Sequence, residues 1–251
     1  MLFSVASAFA QGGTTGPLTW QISGNTLTIT GNGPMPNYDL LPYSPWTPQT
    51  PWYPYEGSFI YVIIGEGVMS IGECAFAFCQ SIISVTLPNS LTRIESDAFY
   101  DSQNLITINI PNNVTKIGYA AFDGCQNLSS PIVIPNGVTK IENRTFYMCR
   151  NLPSITIPNS VSSIGNYAFY GCKSLASIVV PNGVTTIESG TFSNCSSLTS
   201  ISLSNKTTTI GDFAFNCCEK LQSITLPNSL TNIGESAFFK CEKLAYGKRR
   251  C

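Results

Sequence analysis

SITIPNSVSSIGNYAFYGCKSL, residues 154–175, is the stretch that decides the fold, because the chain repeats it along most of its length. Clear variants begin at Ser84, Thr107, Ser177 and Ser223. One phenylalanine marks each copy: Phe76, Phe99, Phe122, Phe146, Phe169, Phe192, Phe215 and Phe238. Successive phenylalanines are 23 residues apart, except for one interval of 24. A fixed period of this length is the signature of a solenoid in which each repeat forms one coil.

The positions within each repeat predict its local structure. Apolar pairs two residues apart, such as Ile155 and Ile157, indicate a short strand with one buried face, and the Pro-Asn that usually follows indicates a turn. An isoleucine five residues before each phenylalanine, such as Ile164, indicates a second extended segment on another side of the coil. The segment Gly-x-x-Ala-Phe-x-x-Cys is too short for an average helix, so we expect a helical or 3-10 turn there.

The predicted fold is therefore mostly β with short helical or 3-10 turns. Residues 59–244 are expected to form a right-handed solenoid of about eight coils of 23 residues. Its first strands are expected to form a single parallel sheet, and Phe99, Phe122 and Phe146 to stack in one interior column.

An N-terminal cap is expected to precede the repeats, over residues 12–58. Residues 18–30 alternate apolar and polar side chains around a turn sequence, which predicts a β-hairpin that covers the first coil. Residues 31–58 are rich in proline and aromatic residues and predict an irregular loop. Its tryptophans, Trp46 and Trp52, either form a surface for stacking sugars or peptides, or pack against their own cap.

The two ends of the chain differ from the repeats. Residues 1–11, MLFSVASAFAQ, resemble the end of a secretory signal, with an apolar run before Ala8-Phe9-Ala10; a frayed apolar terminus is the alternative. Residues 245–251 contain no capping element, so the last coil is expected to expose the edge of its core. This fits either a truncated chain or one that continues through a partner.

The composition disfavours several functions. The net charge of −1 gives no basic surface for nucleic acid, and no stretch is long and apolar enough for a transmembrane helix. Histidine is absent, which removes the commonest general base and the commonest metal ligand. The carboxylates, Asp97 and Asp123 among them, are scattered and are interpreted as a solvated surface. We therefore predict no catalytic site, no cofactor and no metal.

Cysteine forms a column of its own, three residues after the phenylalanine. Its members are Cys79, Cys125, Cys149, Cys172, Cys195, Cys218 and Cys241, and Ser102 takes the place in the second repeat. One sulfur per coil, with no CxxC, fits small buried side chains better than metal ligands or disulfides. Cys74, Cys217 and Cys251 lie outside the column and could pair or stay reactive.

Tyrosines gather beside the phenylalanine column. Tyr147 and Tyr170 directly follow a column phenylalanine, and Tyr119 and Tyr167 lie just before one. If the coils stack in register, Tyr147 and Tyr170 are neighbours. We hypothesise that these four tyrosines, with Trp46 and Trp52, form a protein-binding flank that outranks the Ser/Thr-rich outer face of the strands. The alternative is that the rings lie flat on the turns and only seal the column.

The unit L-x-S-I-x-I-P-N-S-V-T-x-I-G-x-x-A-F-x-x-C resembles the BspA-like class of leucine-rich repeat, found in bacterial and protozoan surface antigens. The resemblance covers residues 59–244, and residues 18–64 resemble the hairpin segment that precedes such repeats in bacterial members. It implies a curved solenoid that is secreted or held at the cell surface, binds extracellular, host or matrix proteins, and has no catalytic residues. A glycan-binding module that uses the aromatic cap loop and a passive spacer are the alternatives.

Overall fold

The computed structural model of the protein describes residues 11–41 and 47–245, and nearly all of its regular structure is β. The cap contains β1 (Gln11–Thr15), β2 (Leu18–Ser23), β3 (Thr26–Gly31), β4 (Gly33–Pro34), β5 (Leu40–Leu41), β6 (Thr47–Pro48) and a 3-10 turn (Tyr53–Tyr55). The repeats contain β7 (Tyr61–Ile64), β8 (Val68–Ile71), β9 (Ser84–Thr86), β10 (Arg93–Ile94), β11 (Thr107–Ile108), β12 (Lys116–Ile117), β13 (Ile132–Val133), β14 (Lys140–Ile141), β15 (Ile155–Thr156), β16 (Ser163–Ile164), β17 (Ser177–Val179), β18 (Thr186–Ile187), β19 (Ser200–Ser202), β20 (Thr209–Ile210), β21 (Ser223–Ile224) and β22 (Asn232–Ile233).

Two columns of short parallel strands run along the array, one on each of two sides of the coils. In the first column Ser84 pairs with Thr107, and in the second Ile94 pairs with Ile117, so each residue lies beside its counterpart one repeat later. This register confirms the solenoid of about eight coils and the second extended segment. The alternation of exposed and buried residues in strands such as β11 and β12 then follows from the period of two.

The expectation of a single parallel sheet is wrong. On the first side the strands form three sheets, β1-β2-β3-β7-β9-β11, β13-β15 and β17-β19-β21. The first break falls at the repeat that is one residue longer, where Pro131 has no N–H to donate to a ladder. Hydrogen bonding continues beside the break, since the Ser129 N–H donates to the Ile106 carbonyl at 3.1 Å. The second column of strands is interrupted between the same coils.

The segment around each phenylalanine is a chain of tight turns. Hydrogen bonds between residues three apart in sequence, as in a 3-10 turn, are present; for example, the Cys172 N–H donates to the Phe169 carbonyl at 3.2 Å. However, the residues two before and two after each phenylalanine have positive φ, as at Tyr167 (55°) and Gly171 (71°). These left-handed residues stop any helix from propagating. The expected helical turn is therefore reduced to isolated turns.

The left-handed residues aim backbone donors at the next coil. The N–H groups of Tyr167, Phe169 and Gly171 donate to the carbonyls of Ser189, Thr191 and Ser193 at 3.0, 3.0 and 2.8 Å. The same three positions donate to the following coil throughout the repeats. Consequently the turns bind the coils together as the strand ladders do on the other sides.

The interior is filled by the predicted columns. Ring centroids of Phe99 and Phe122 lie 5.4 Å apart, those of Phe122 and Phe146 lie 5.5 Å apart, and the planes are within 4° of parallel. The single interior column of phenylalanines is thus confirmed. The interior is less covered at its end than at its beginning, because Phe238 is only half-buried and Ile233 is 40% exposed in the last coil, whereas Phe76 is fully buried.

The cysteine column is buried and hydrogen-bonded. Cys172 Sγ lies 3.2 Å from the carbonyl oxygen of Phe146 in the preceding coil, and the other column members from Cys125 onward make the same contact. The Ser102 hydroxyl makes it too, to the Phe76 carbonyl at 2.5 Å. Burial raises the pKa of the Cys195 thiol to about 12, so the protonated donor is the form present. Outside the column Cys74 is buried and Cys217 half-buried, both as free thiols, whereas Cys251 lies outside the described residues.

The predicted hairpin is present and continues into the solenoid. β2 and β3 pair antiparallel, β1 adds a strand that the sequence did not suggest, and β3 pairs parallel with β7 of the first coil. Trp52 occupies the place of a column phenylalanine: its ring stacks on Phe76 at 5.5 Å. Its indole N–H donates at 2.9 Å to the Ala75 carbonyl, the position that accepts a phenylalanine N–H in later coils. The cap therefore places an aromatic ring and a hydrogen-bond donor where a preceding coil would place them.

Candidate functional site

Five tyrosines lie together on the side of the coils formed by the turns, and we call this surface the tyrosine flank: Tyr100, Tyr119, Tyr147, Tyr167 and Tyr170. Tyr100, Tyr147 and Tyr170 each directly follow a column phenylalanine and are half-buried. The rings of Tyr147 and Tyr170 stack with centroids 4.7 Å apart and planes 8° from parallel. The prediction that they are neighbours is confirmed.

Tyr167 extends the stack at a left-handed position. Its ring meets that of Tyr170 edge to face, with centroids 6.2 Å apart, and 40% of the residue is exposed. It lies over Gly190 of the next coil, where a Cβ would come within 2.3 Å of the Tyr167 ring. Gly190 also has a φ of 61°, so glycine is required there for two reasons.

Arg144 connects the stack to the rest of the flank. Its Nε donates to the Asp123 carboxylate at 2.7 Å, and its guanidinium lies 4.0 Å from the centre of the Tyr147 ring. Asp123 follows a column phenylalanine, between Tyr100 and Tyr147 in the same column, and is 4% exposed. The interpretation of this carboxylate as solvated is therefore wrong. Burial raises the pKa of Asp123 to about 6, against the opposing effect of Arg144.

A cavity of about 450 Å³ opens beside Arg144 at the other end of the flank. Its lining consists of Leu40, Phe78, Asp97, Tyr100, Tyr119 and Arg144. The rings of Phe78 and Tyr100 meet edge to face at 5.3 Å, and Tyr119 is 45% exposed. Burial and the charge of Asp123 raise the pKa of Asp97 to about 6. The cavity thus combines aromatic walls with a half-buried carboxylate.

The structure places the predicted site residues in three groups. Tyr119, Tyr147, Tyr167 and Tyr170 all lie on the flank. Trp52 does not: it is fully buried under the first coil, because its indole caps the phenylalanine column, and its assignment to a binding surface is corrected. Trp46 lies outside the described residues.

Sequence reasoning missed the charged part of the flank. Asp97 and Arg144 both stand two residues before a column phenylalanine, and Asp123 one residue after. Indexing every residue from its phenylalanine, as was done for the tyrosines, would have put all of them in the flank. Phe78 could have been found in the same way, two residues after Phe76.

Two features were searched for among the described residues: clusters of metal-ligating side chains and membrane-spanning helices. Within residues 11–41 and 47–245 no group of three or more Cys, Asp or Glu side chains is placed to hold a metal ion. In the same part of the chain no helix has the length and apolar character needed to cross a membrane.

Comparisons with known proteins agree with this architecture. Residues 53–131 and 129–245 match the family described as "BspA type Leucine rich repeat region", in six copies. The structure is similar to a leucine-rich cell surface protein from Faecalibacterium prausnitzii, with a TM-score of 0.52 and 26% identity over 97% of both chains. It is also similar to a leucine-rich repeat protein of T. pallidum, with a TM-score of 0.58 and 24% identity over 94% of this chain and 92% of that one. No curated protein matches the chain.

Proposed function

Because the chain belongs to the BspA-type leucine-rich repeat family, we propose that it is a non-catalytic protein-binding module that contacts host or matrix proteins through the tyrosine flank. The observation that carries the proposal is the stack of the half-buried Tyr147 and Tyr170 at the surface, continued by Arg144 and the exposed Tyr167. Tyrosine and arginine are the residues that most often dominate the energy of protein interfaces. The stacked rings also lose little conformational freedom on binding.

The outer face of the strands offers less. Its side chains include Ser177, Ser200 and Ser223, which are exposed, small and uncharged. Such residues are under-represented among those that contribute strongly to binding. Its exposed apolar residues are Tyr61, Ile63, Val133 and Val179, which are between 42% and 68% exposed, and of these four Tyr61 alone is aromatic.

An extracellular location is part of the same proposal. The Faecalibacterium protein is described as a cell surface protein, and residues 1–11 read as the end of a secretory signal. We propose that the module is secreted or held at the surface, where its partners are extracellular.

Glycan binding by the cap loop has less support. The described aromatic residues of the cap turn inward: Trp52 is buried, Tyr38 lies 5.5 Å from its ring, and Tyr55 leans on Trp20 at 5.9 Å. Rings that pack on one another offer no open platform for a sugar. A passive spacer is the remaining alternative.

The experiment measures binding of the full chain to a panel of purified extracellular matrix proteins and to a glycan array. We expect at least one protein to bind, and the double variant Tyr147→Ser/Tyr170→Ser to bind it about tenfold more weakly or worse, because two anchoring rings are lost. The loss of one stacked pair is expected to lower the free energy of unfolding by only ~1 kcal/mol.

The matched control is Tyr61→Ser/Val179→Ser, which removes exposed apolar side chains from the strand face and should bind as the wild type does. A Tyr147/Tyr170 variant that binds normally, or that loses stability in proportion to its binding, would show that the flank is structural. Binding only on the glycan array would favour the sugar-binding alternative. The absence of binding in both assays would favour the passive spacer.

A further inference from the structure

The cavity at the end of the tyrosine flank contains one carboxylate that nothing neutralises. Among the described residues no lysine or arginine nitrogen lies within 4.0 Å of the Asp97 carboxylate, and no side chain donates a hydrogen bond to it. Arg144 lines the same cavity but is engaged by Asp123 at 2.7 Å and stacked on Tyr147. The unpaired charge of the cavity is therefore negative.

Two of the three charged residues that act on Asp97 are negative, as it is. Asp123 and Glu73 act on it electrostatically, and both make its ionisation less favourable. Burial and the negative charge of Asp123 also raise the pKa of the neighbouring Tyr100 phenol. Arg144 opposes this field but does not cancel it, since Asp123 and Glu73 each affect the pKa of Asp97 more strongly than Arg144 does.

The walls of the cavity suit the rest of a long basic side chain. Leu40 and Phe78 offer apolar surface that a methylene stem can cover. Tyr100 and Tyr119 offer aromatic rings, whose faces attract cations. A volume of about 450 Å³ is ample for one such side chain.

We propose that this cavity receives a lysine or arginine side chain of the protein partner, whose cationic group pairs with the Asp97 carboxylate between Tyr100 and Tyr119. The proposal rests on the proposed function, because it names the partner chemistry that one end of the flank selects. A neutral sugar could stack on the same rings, but it would leave the charge of Asp97 unpaired.

The test uses the full chain, labelled with ¹⁵N, and small probes followed by NMR at neutral pH. The cationic probes are Nα-acetyl-lysine N-methylamide and its arginine counterpart; the neutral probe is Nα-acetyl-norleucine N-methylamide, which keeps the stem. We expect saturable shifts of the Phe78, Tyr100 and Tyr119 amide signals with the cationic probes and none with norleucine. Methyl α-glucoside represents the sugar alternative.

Asp97→Asn is the deciding variant. Asparagine has nearly the same shape and tolerates the positive φ of 54° at this position. We expect it to weaken binding of the lysine probe about tenfold, because the charge pair is lost. Glu219→Gln makes the same charge change at an exposed residue away from the cavity and should leave binding unchanged.

Equal shifts with norleucine, an unaffected Asp97→Asn variant, or a response to the glucoside in place of lysine would each overturn the inference. Its failure is distinguishable from that of the proposed function. If the Tyr147/Tyr170 variant loses matrix-protein binding but the wild type does not respond to the lysine probe, the proposed function stands and the proposal for the cavity is wrong. If the wild type responds to the lysine probe but the Tyr147/Tyr170 variant binds matrix proteins normally, the proposal for the cavity stands and binding through the tyrosine stack is wrong.

Discussion

At the scale of single residues, cysteine and serine are interchangeable in the interior column because both donate a hydrogen bond. Each thiol, and the Ser102 hydroxyl, points at the carbonyl of a phenylalanine one coil earlier. The sequence predicted a small buried side chain at this position but not its hydrogen bond, since the acceptor lies 26 residues away. The serine at position 102 was the one feature of the sequence that indicated a hydrogen-bond donor in this column.

Substitutions of Cys172 therefore separate the contribution of its hydrogen bond from the contribution of its side-chain volume. Cys172→Ser keeps a hydroxyl donor toward Phe146, whereas Cys172→Ala leaves that carbonyl with one partner fewer and a small void. We expect the serine variant to be more stable than the alanine variant by about 0.5–1.5 kcal/mol, the net value of one hydrogen bond. Urea unfolding followed by circular dichroism measures the difference.

Ser102 supplies the control for that comparison. Ser102→Cys should be close to neutral and Ser102→Ala should lose stability as Cys172→Ala does. If alanine and serine are equivalent at position 172, the thiol is only filling space.

Asp97 makes stability depend on pH. Its pKa is raised from 3.8 to about 6 by burial and by Asp123, so the folded chain binds this proton more tightly than the unfolded chain does. Stability contributed by the neutral carboxyl is therefore lost as the pH rises from 3.8 to about 6. Glu73 and Arg144 also face the group, and Asp123 titrates in the same range.

Asp97→Asn should accordingly melt at a higher temperature than the wild type at neutral pH. The difference should shrink as the pH falls through 6 and vanish below 3.8, where the wild-type carboxyl is neutral in both states. Thermal unfolding across this range measures it, with Glu219→Gln as the charge-matched control. A constant difference at all pH values would mean that the amide acts through a new contact and not through charge.

At the scale of elements, strands were predictable and turns were not. The two-residue alternation of Ile155 and Ile157 identifies a strand with no other information. The turns depend instead on left-handed backbone at residues as different as Asp97, Arg144 and Tyr167. None of these is glycine, and neither Arg144 nor Tyr167 has a local preference for positive φ that the sequence could have shown. The neighbouring coil compensates the strain by accepting three hydrogen bonds per turn.

The N-terminal cap shows the same dependence on a neighbour. Prolines and aromatics predicted an irregular loop, but only the contact with Phe76 and Ala75 reveals why Trp52 belongs there. Its burial settled the choice between a stacking surface and an internal packing role.

Trp52→Phe should destabilise the chain by about 1–3 kcal/mol, because it leaves the buried Ala75 carbonyl without its donor. Trp52→Ala should cost about 3–5 kcal/mol, since it also opens a cavity over Phe76. Trp20→Phe is the matched control: it changes a buried tryptophan whose indole N–H has no partner among the described residues. Unfolding in urea compares all of them, and equal losses in the two phenylalanine variants would contradict the capping role.

At the scale of the whole molecule, the period of the sequence predicted the fold, and the residues that vary between repeats define the surface. Eight phenylalanines in register were sufficient to predict a solenoid and its stacked interior. The flank was predictable in part, because Tyr147 and Tyr170 share a position in adjacent repeats. The cavity was not, since Leu40 comes from the cap and the other walls come from four different coils.

The forward-pointing N–H groups of the turns make the array directional: every coil offers donors to its successor and acceptors to its predecessor. Any coil can thus follow any other, provided that its length is kept. Duplication or loss of one repeat by recombination would leave every backbone donor of the turns with an acceptor in the following coil, so the length of the array can change in single steps. The exposed side chains beside the phenylalanines can meanwhile vary while the interior stays fixed.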